Sequence, residues 1–290
     1  DRLVAVRIGN AGGVAIGLGN EENYVASDIP AILEYTRDMI FLESRQIATI
    51  KADSYEVQCL DGSPTHTEVH HIAWDPVSAA KGEYRHFMQK EIFEQALSIT
   101  NTISGRIDFE HQRVLLPDLN LTEEQAKALT RIVTVACGTS NYSGLVGKFF
   151  IEELARLNVE VDYGSEYRYR NPILDKNTAV LAITQSGETV DTLAAMEEAF
   201  EKEAIVWSIV NAIVSQAMRI ANGYISMNAG PEIGVASTKA FTTSMVDQLL
   251  LALYLGQLRG TVTDQQRKQT IQDIACLPDL IGRRSEEHTS

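Results

Sequence analysis

From residue 132 onward, short apolar runs alternate with helical patterns, and two of these runs end in turns of small polar residues. The run 132–136 passes into the small-residue turn 137–144, and a helix follows with Val146, Phe150, Leu154 and Leu157 spaced along one face. Residues 159–163 read as a strand, and Asn171 with Pro172 as a turn. The run 179–184 is apolar apart from its terminal Thr, as expected when helices cover both faces of a sheet. A second small polar turn, 185–189, precedes the helix 190–200. Strands at 205–210 and 224–227 and a long apolar helix at 238–258 complete the series. Strands alternating with helices fold as a parallel, doubly wound α/β sandwich.

The first 64 residues have a different texture. Short alternating segments at 14–18, 23–26, 39–42, 46–51 and 55–59 follow an apolar opening at 3–8, with turns at Gly17, Gly19 and the pair Asp61, Gly62. One helix is expected among them, with Ser27 as N-cap, Pro30 in the first turn, and Ile32 and Tyr35 at helical spacing. This region reads as the end of an α+β domain. Residues 65–84 carry little periodicity. They hold His66, His70, His71 and Trp74, but no Cys or carboxylate pattern completes a metal ligand set, so a solvated connector is expected. Helices are expected around Phe87, Glu91, Glu94 and Leu97, and at 122–129.

A chain of 290 residues at about 150 per domain holds about two domains. With 39 acidic and 25 basic residues the net charge is −14, which argues against nucleic acid and anionic membranes as partners. The longest apolar runs, such as 249–255, fall far short of the roughly 20 residues that a membrane span needs. Cys59, Cys137 and Cys276 are scattered, which fits neither a disulfide framework nor a zinc site and points to a reducing cytoplasm.

In open α/β sheets, ligands bind beyond the carboxyl ends of strands, near helix N-termini. Two turns stand there: Cys137, Gly138, Thr139 and Ser140, then Thr184, Gln185, Ser186, Gly187, Glu188 and Thr189. Hydroxyls and unsatisfied N–H groups at helix starts suit an anion, and a phosphorylated small molecule is the ligand class they favour. Simple N-capping by Thr139 or Ser186 is the plainer alternative. There is no Walker loop and no dinucleotide fingerprint, so no nucleotide cofactor is expected. Cys137 has no His near it in sequence to act as a base, and it reads as a small packing residue.

The turns belong to a longer series. It comprises Ala136-Cys-Gly-Thr-Ser140, Ser165-Glu-Tyr-Arg-Tyr-Arg170, Gln185-Ser-Gly-Glu-Thr189 and Ala229-Gly-Pro-Glu-Ile-Gly-Val-Ala-Ser-Thr-Lys-Ala-Phe241. Upstream stand Ala26-Ser-Asp28 and Tyr84-Arg-His-Phe-Met-Gln-Lys-Glu-Ile-Phe-Glu-Gln95. Over about residues 1–283 this series resembles the glutamine–fructose-6-phosphate aminotransferases (isomerising), the glucosamine-6-phosphate synthases. The resemblance implies an α/β fold, a doubly wound parallel-sheet SIS (sugar isomerase) domain preceded by the C-terminal part of an α+β N-terminal-nucleophile glutaminase domain. The implied boundaries are 1–64 for the glutaminase part, 65–84 for a connector and 85–262 for the first SIS domain with its leading helices. Residues 263–283 would begin a linker to a second SIS domain. Residues 284–290 read as a non-native tail, matching the translation of a common sequencing-library adapter.

The resemblance also implies a reaction, in which ammonia from glutamine passes to fructose 6-phosphate and yields glucosamine 6-phosphate and glutamate. By motif position, Ser140, Thr184, Gln185, Ser186 and Thr189 would hold the phosphate, and Thr139 and Val235 would line the sugar, with Cys137 and Gly138 in the same substrate turn. No cofactor or metal is implied. Glutamine would bind through the part of the glutaminase domain that precedes Asp1, and a homodimer is the implied assembly. Thr184 stands where the family usually has Ser, and Asn141 and Tyr142 stand in the reverse of the commoner order. The family's catalytic residues fall outside these 290 positions, so none is assigned here, and this polypeptide alone is expected to lack synthase activity. Three alternatives remain: a non-enzymatic phosphosugar-binding regulator, a fructosamine deglycase-like SIS enzyme, and a different amidotransferase such as one making phosphoribosylamine. The first two would not need residues 1–64, and the third would need a phosphoribosyl-pyrophosphate loop.

Overall fold

The computed structural model describes residues 1–9 and 12–287. They group into two compact units, Asp1–Gly82 together with Glu188–Val190, and a larger unit holding the rest.

The smaller unit is built from antiparallel strands. One sheet has the order β1 (Leu3–Arg7), β5 (Gln46–Ile50), β6 (Tyr55–Cys59). The other runs β3 (Asn23–Ala26), β2 (Ala15–Leu18), β4 (Asp38–Phe41), β7 (His70–His71). Ala15 and Ile16, adjacent on β2, enter different apolar clusters, as the period of two requires. The helix expected after Ser27 is only a 3₁₀ turn at Ile29–Ala31, with Asp28 rather than Ser27 at its start. Ile32 and Leu33 already turn into the core there, and Tyr35 stacks on Tyr24 with centroids 4.9 Å apart. The expected connector also contributes structure. His70 and His71 pair with Met39 and Asp38, the His71 Nδ1 lies 2.7 Å from an Asp38 carboxylate oxygen, and a short helix α1 (Pro76–Ala79) follows.

The larger unit opens with α2 (Phe87–Phe93) and α3 (Gln95–Ile103), two helices meeting at Glu94. A two-residue hairpin, β8 (Ile107–Asp108) and β9 (Arg113–Val114), leads to α4 (Glu123–Ala128), which Thr122 and Gln125 start with a capping box. The main series is β10 (Arg131–Ala136), α5 (Thr139–Leu154), β11 (Asn158–Tyr163), α6 (Gly164–Tyr167), β12 (Thr178–Thr184), α7 (Val190–Glu201), β13 (Ile205–Val210), α8 (Gln216–Ile220) and β14 (Gly223–Ser226). The long helices α9 (Lys239–Arg259) and α10 (Asp264–Glu287) close it.

Five parallel strands lie in the order β11-β10-β12-β13-β14, the doubly wound arrangement expected. Alternate residues face opposite layers. Ile132, Leu181, Ile183 and Ile209 join a cluster with α3, α5, α9 and α10, while Val133, Val135, Val180 and Val206 join one with α6 and α7. α9 is buried on nearly all sides, so it shows no single apolar face, and the polar Thr243, Ser244, Asp247 and Gln248 are buried along with its Leu residues.

The inward face of α5 differs from the expected one. Asn141, Ser143, Gly144, Gly147 and Ile151 are buried, whereas Val146, Phe150 and Leu154 are half-buried and Leu157 lies beyond the helix end. Small residues let α5 and α9 approach: a Cβ on Gly147 would stand 1.8 Å from the Gln248 side-chain oxygen. The expected linker, 263–283, lies from residue 264 onward within α10, whose Ile271 and Ile274 are fully buried. The expected tail continues this helix to Glu287, and residues 288–290 lie outside the described residues.

Candidate functional site

The chain leaves β10 to one side to form β11, then crosses back to lay β12 on the other side. Such a reversal opens a crevice at the carboxyl ends of the two central strands. With Ala136 paired to Ile183, the turns that follow β10 and β12 emerge side by side.

In the first turn, the half-buried Cys137 sulfur accepts from the Thr192 hydroxyl at 3.7 Å. Gly138 has φ 57° and ψ −134°, a conformation that only glycine adopts readily. Thr139 and Ser140 are the first residues of α5, and Gly138 occupies the cap position with no side-chain cap, so Thr139 does not cap this helix. The Thr139 and Ser140 N–H groups take no protein acceptor among the described residues, and the positive end of the helix dipole lies there. The Asn141 N–H closes the turn on the Gly138 carbonyl at 3.1 Å, and its buried side chain donates to the Asp162 carbonyl at 2.9 Å. Asn141 thereby ties the start of α5 to β11. Tyr142 faces outward and is hydrogen-bonded to Tyr163, which holds the Tyr163 phenol above its ordinary range.

The second turn is shaped by its own polar groups. Thr184 is buried and its hydroxyl accepts from the Gly187 N–H at 3.1 Å. Gly187 has φ 69°, and a Cβ there would meet the Ser215 hydroxyl at 2.0 Å. The Gly187 carbonyl accepts from Ala217 at 3.1 Å, anchoring the turn on α8. Gln185 and Ser186 are half-buried, and Thr189, also half-buried, stands directly before α7. Neither turn contains Lys or Arg.

Val235 is placed differently. It stands fully exposed in the stretch 227–238, between β14 and α9. A residue that the sequence reading passed over connects this stretch to the second turn. Asn211, 2% exposed and next after β13, donates its backbone N–H to the Gln185 carbonyl at 3.2 Å. Its side chain donates to the Gly230 carbonyl at 2.7 Å and accepts from Ala229 at 3.0 Å. The available signal was its position, a polar residue at the end of a third central strand. Glu232 starts α9 by accepting from the N–H groups of Thr238 (2.8 Å) and Ala240 (3.1 Å). Lys239 is buried and paired with Glu94 at 2.7 Å.

The chain is similar to known proteins. The family model described as SIS domain matches residues 126–254. Over 97% of its length the chain is 43% identical to the glutamine–fructose-6-phosphate aminotransferase [isomerizing] of Caldanaerobacter subterraneus subsp. tengcongensis, covering 46% of that protein. It is 40% identical over 96% of its length to the protein of the same name from Clostridium acetobutylicum, covering 45% of it. A solved structure, the C-terminal domain of glucosamine-fructose-6-phosphate aminotransferase from Francisella tularensis, matches with TM-score 0.65 at 33% identity, over 69% of this chain and 56% of that one. The chain therefore spans a little under half the length of the two curated relatives. No helix among the described residues is long and apolar enough to cross a membrane.

Proposed function

We propose that this chain, which carries a SIS domain and is a relative of the glutamine–fructose-6-phosphate aminotransferases, is the phosphosugar-holding part of an enzyme making glucosamine 6-phosphate and glutamate from fructose 6-phosphate and glutamine. One observation carries the reading: two hydroxyl-rich turns emerge side by side at the reversal point of the sheet, one of them at the start of α5. A phosphate there meets neutral donors and oriented N–H groups instead of a cation.

In this reading Ser140, Gln185, Ser186 and Thr189 hold the phosphate oxygens. Thr184 contributes by keeping its hydroxyl on the Gly187 N–H, which curls the second turn. Cys137 and Gly138 bring backbone close to the ligand, and Thr139 and Val235 line the sugar. Holding the phosphate end leaves the carbonyl end of the open sugar free for ammonia, the nitrogen that glutamine hydrolysis supplies. Residues 1–64 are the glutaminase part, 65–84 the connector, 85–262 the first SIS domain and 263–283 the start of the onward linker. The assembly is a cytoplasmic homodimer whose sugar sites a neighbouring subunit completes.

Titration calorimetry of the 290-residue chain tests this reading. Fructose 6-phosphate binds and fructose does not, and Ser186→Ala weakens the phosphosugar by about tenfold, the cost of one hydrogen bond to a charged group. Equal affinity for fructose and fructose 6-phosphate would overturn it.

A further inference from the structure

Between β14 and α9 the stretch 227–238 has neither helix nor strand, yet buried side chains take its backbone groups one after another. The Met227 carbonyl accepts from Thr102 at 2.6 Å and the Ala229 carbonyl from Ser98 at 3.1 Å. Asn211 holds Ala229 and Gly230. Then one oxygen of Glu91, on α2, accepts the N–H groups of both Ile233 (2.7 Å) and Gly234 (2.9 Å), the two residues preceding Val235. Glu91 is 2% exposed, and its second oxygen has no partner among the described residues. A Cβ on residue 234 would stand 2.5 Å from that oxygen, so a side chain there would force the Glu91 carboxylate or the loop to shift. Farther along, Glu94 fastens Lys239 and Gln95 accepts from Thr242 at 2.6 Å, so α2 and the start of α3 grip both the loop and the first turn of α9.

Burying a carboxylate is costly unless its hydrogen bonds are made, and here they are spent on two consecutive N–H groups of an irregular loop. The residue delivered just beyond the clamp is apolar and fully exposed, as is appropriate for a surface that a ligand covers. We infer that Glu91 is a positioning residue, which fixes the loop so that Val235 is presented to the sugar and phosphosugar is preferred over bare phosphate. This rests on the phosphosugar reading above.

The test compares fructose 6-phosphate with inorganic phosphate, each titrated by calorimetry into wild type, Glu91→Ala and Glu91→Gln. Glu91→Ala loses affinity for the phosphosugar by about tenfold or more, while inorganic phosphate changes by less than about twofold. Glu91→Gln, whose carbonyl oxygen still accepts both N–H groups, recovers most of the phosphosugar affinity. Hydrogen exchange at Ile233 and Gly234 speeds up in the Ala variant and stays slow in the Gln variant. Should Glu91→Ala fail to fold, Gly234→Ala displaces the loop from the other side and reproduces the selective loss. Unchanged phosphosugar affinity, equal losses for both ligands, or no recovery by Gln would each overturn the Glu91 role while leaving the phosphosugar reading intact. A wild-type chain that binds no phosphosugar overturns the reading and the role together.

Discussion

Asp247 lies fully buried on α9, with one carboxylate oxygen 2.6 Å from the Arg106 guanidinium and the other without a partner among the described residues. Arg106 also donates to the Ser226 carbonyl, at the end of β14. Burial outweighs the attraction of Arg106 and raises the Asp247 pKa from 3.8 to about 7. A carboxyl that holds its proton more tightly when folded stabilises the fold at low pH, and that stability is lost as pH rises from about 4 through about 7. Asp247→Asn keeps an acceptor for Arg106 but does not titrate. Thermal melts of both proteins from about pH 5 to about pH 8 then show the Asn variant gaining on wild type by several degrees as pH increases. A melting-temperature difference independent of pH would show that Asp247 does not titrate in this range.

At the scale of elements, the α5–α9 contact is set by the absence of a side chain. Gln248 is fully buried, and its Nε2 donates to the Ser143 and Ser244 carbonyls, each at 3.1 Å. A Cβ on Gly147 would meet the Gln248 side-chain oxygen, amide carbon and Cβ together, so moving the amide tip alone does not relieve the clash. Gly147→Ala therefore destabilises the chain by about 2 kcal/mol, within the usual range for overpacking, and Gln248→Ala recovers part of that loss in the double variant. Denaturant midpoints of the four proteins measure the coupling, and strictly additive losses would refute it. The same contact explains what the sequence left hidden. β13 was legible to the residue because a strand covered on both faces is a largely apolar run, broken here only by the small Ser208. On α5 the apolar period finds Phe150 and Leu154, which pack against the core, but not the more deeply buried Asn141, Ser143, Gly144 and Gly147, because close helix packing selects small residues, including polar ones, which a hydrophobic period does not register. The turns at 137–140 and 184–189 were legible from composition and from their place after apolar runs. The clamps by Glu91 and Asn211 were not, since each joins residues distant in sequence through a single side chain.

For the whole molecule, net charge and the charge of the proposed ligand have the same sign. The chain carries −14, fructose 6-phosphate is an anion, and the two proposed phosphate turns contain no Lys or Arg. If the proposed reading holds, long-range electrostatics oppose the approach of this anion, and the attraction has to arise at contact from hydrogen bonds and the start of α5. The two terms respond differently to salt. Repulsion across the protein surface reaches about 30 Å at 0.01 M ionic strength and about 8 Å at 0.15 M, whereas short hydrogen bonds are hardly screened. Raising sodium chloride over this range should strengthen fructose 6-phosphate binding, by no more than about threefold. A site built on cations would weaken over the same titration, because salt competes with each ion pair. Calorimetric titration at several salt concentrations and fixed pH separates the cases by the sign of the slope. A falling affinity would mean that a Lys or Arg from outside the two turns reaches the phosphate, and the neutral-donor account of the site would have to be replaced.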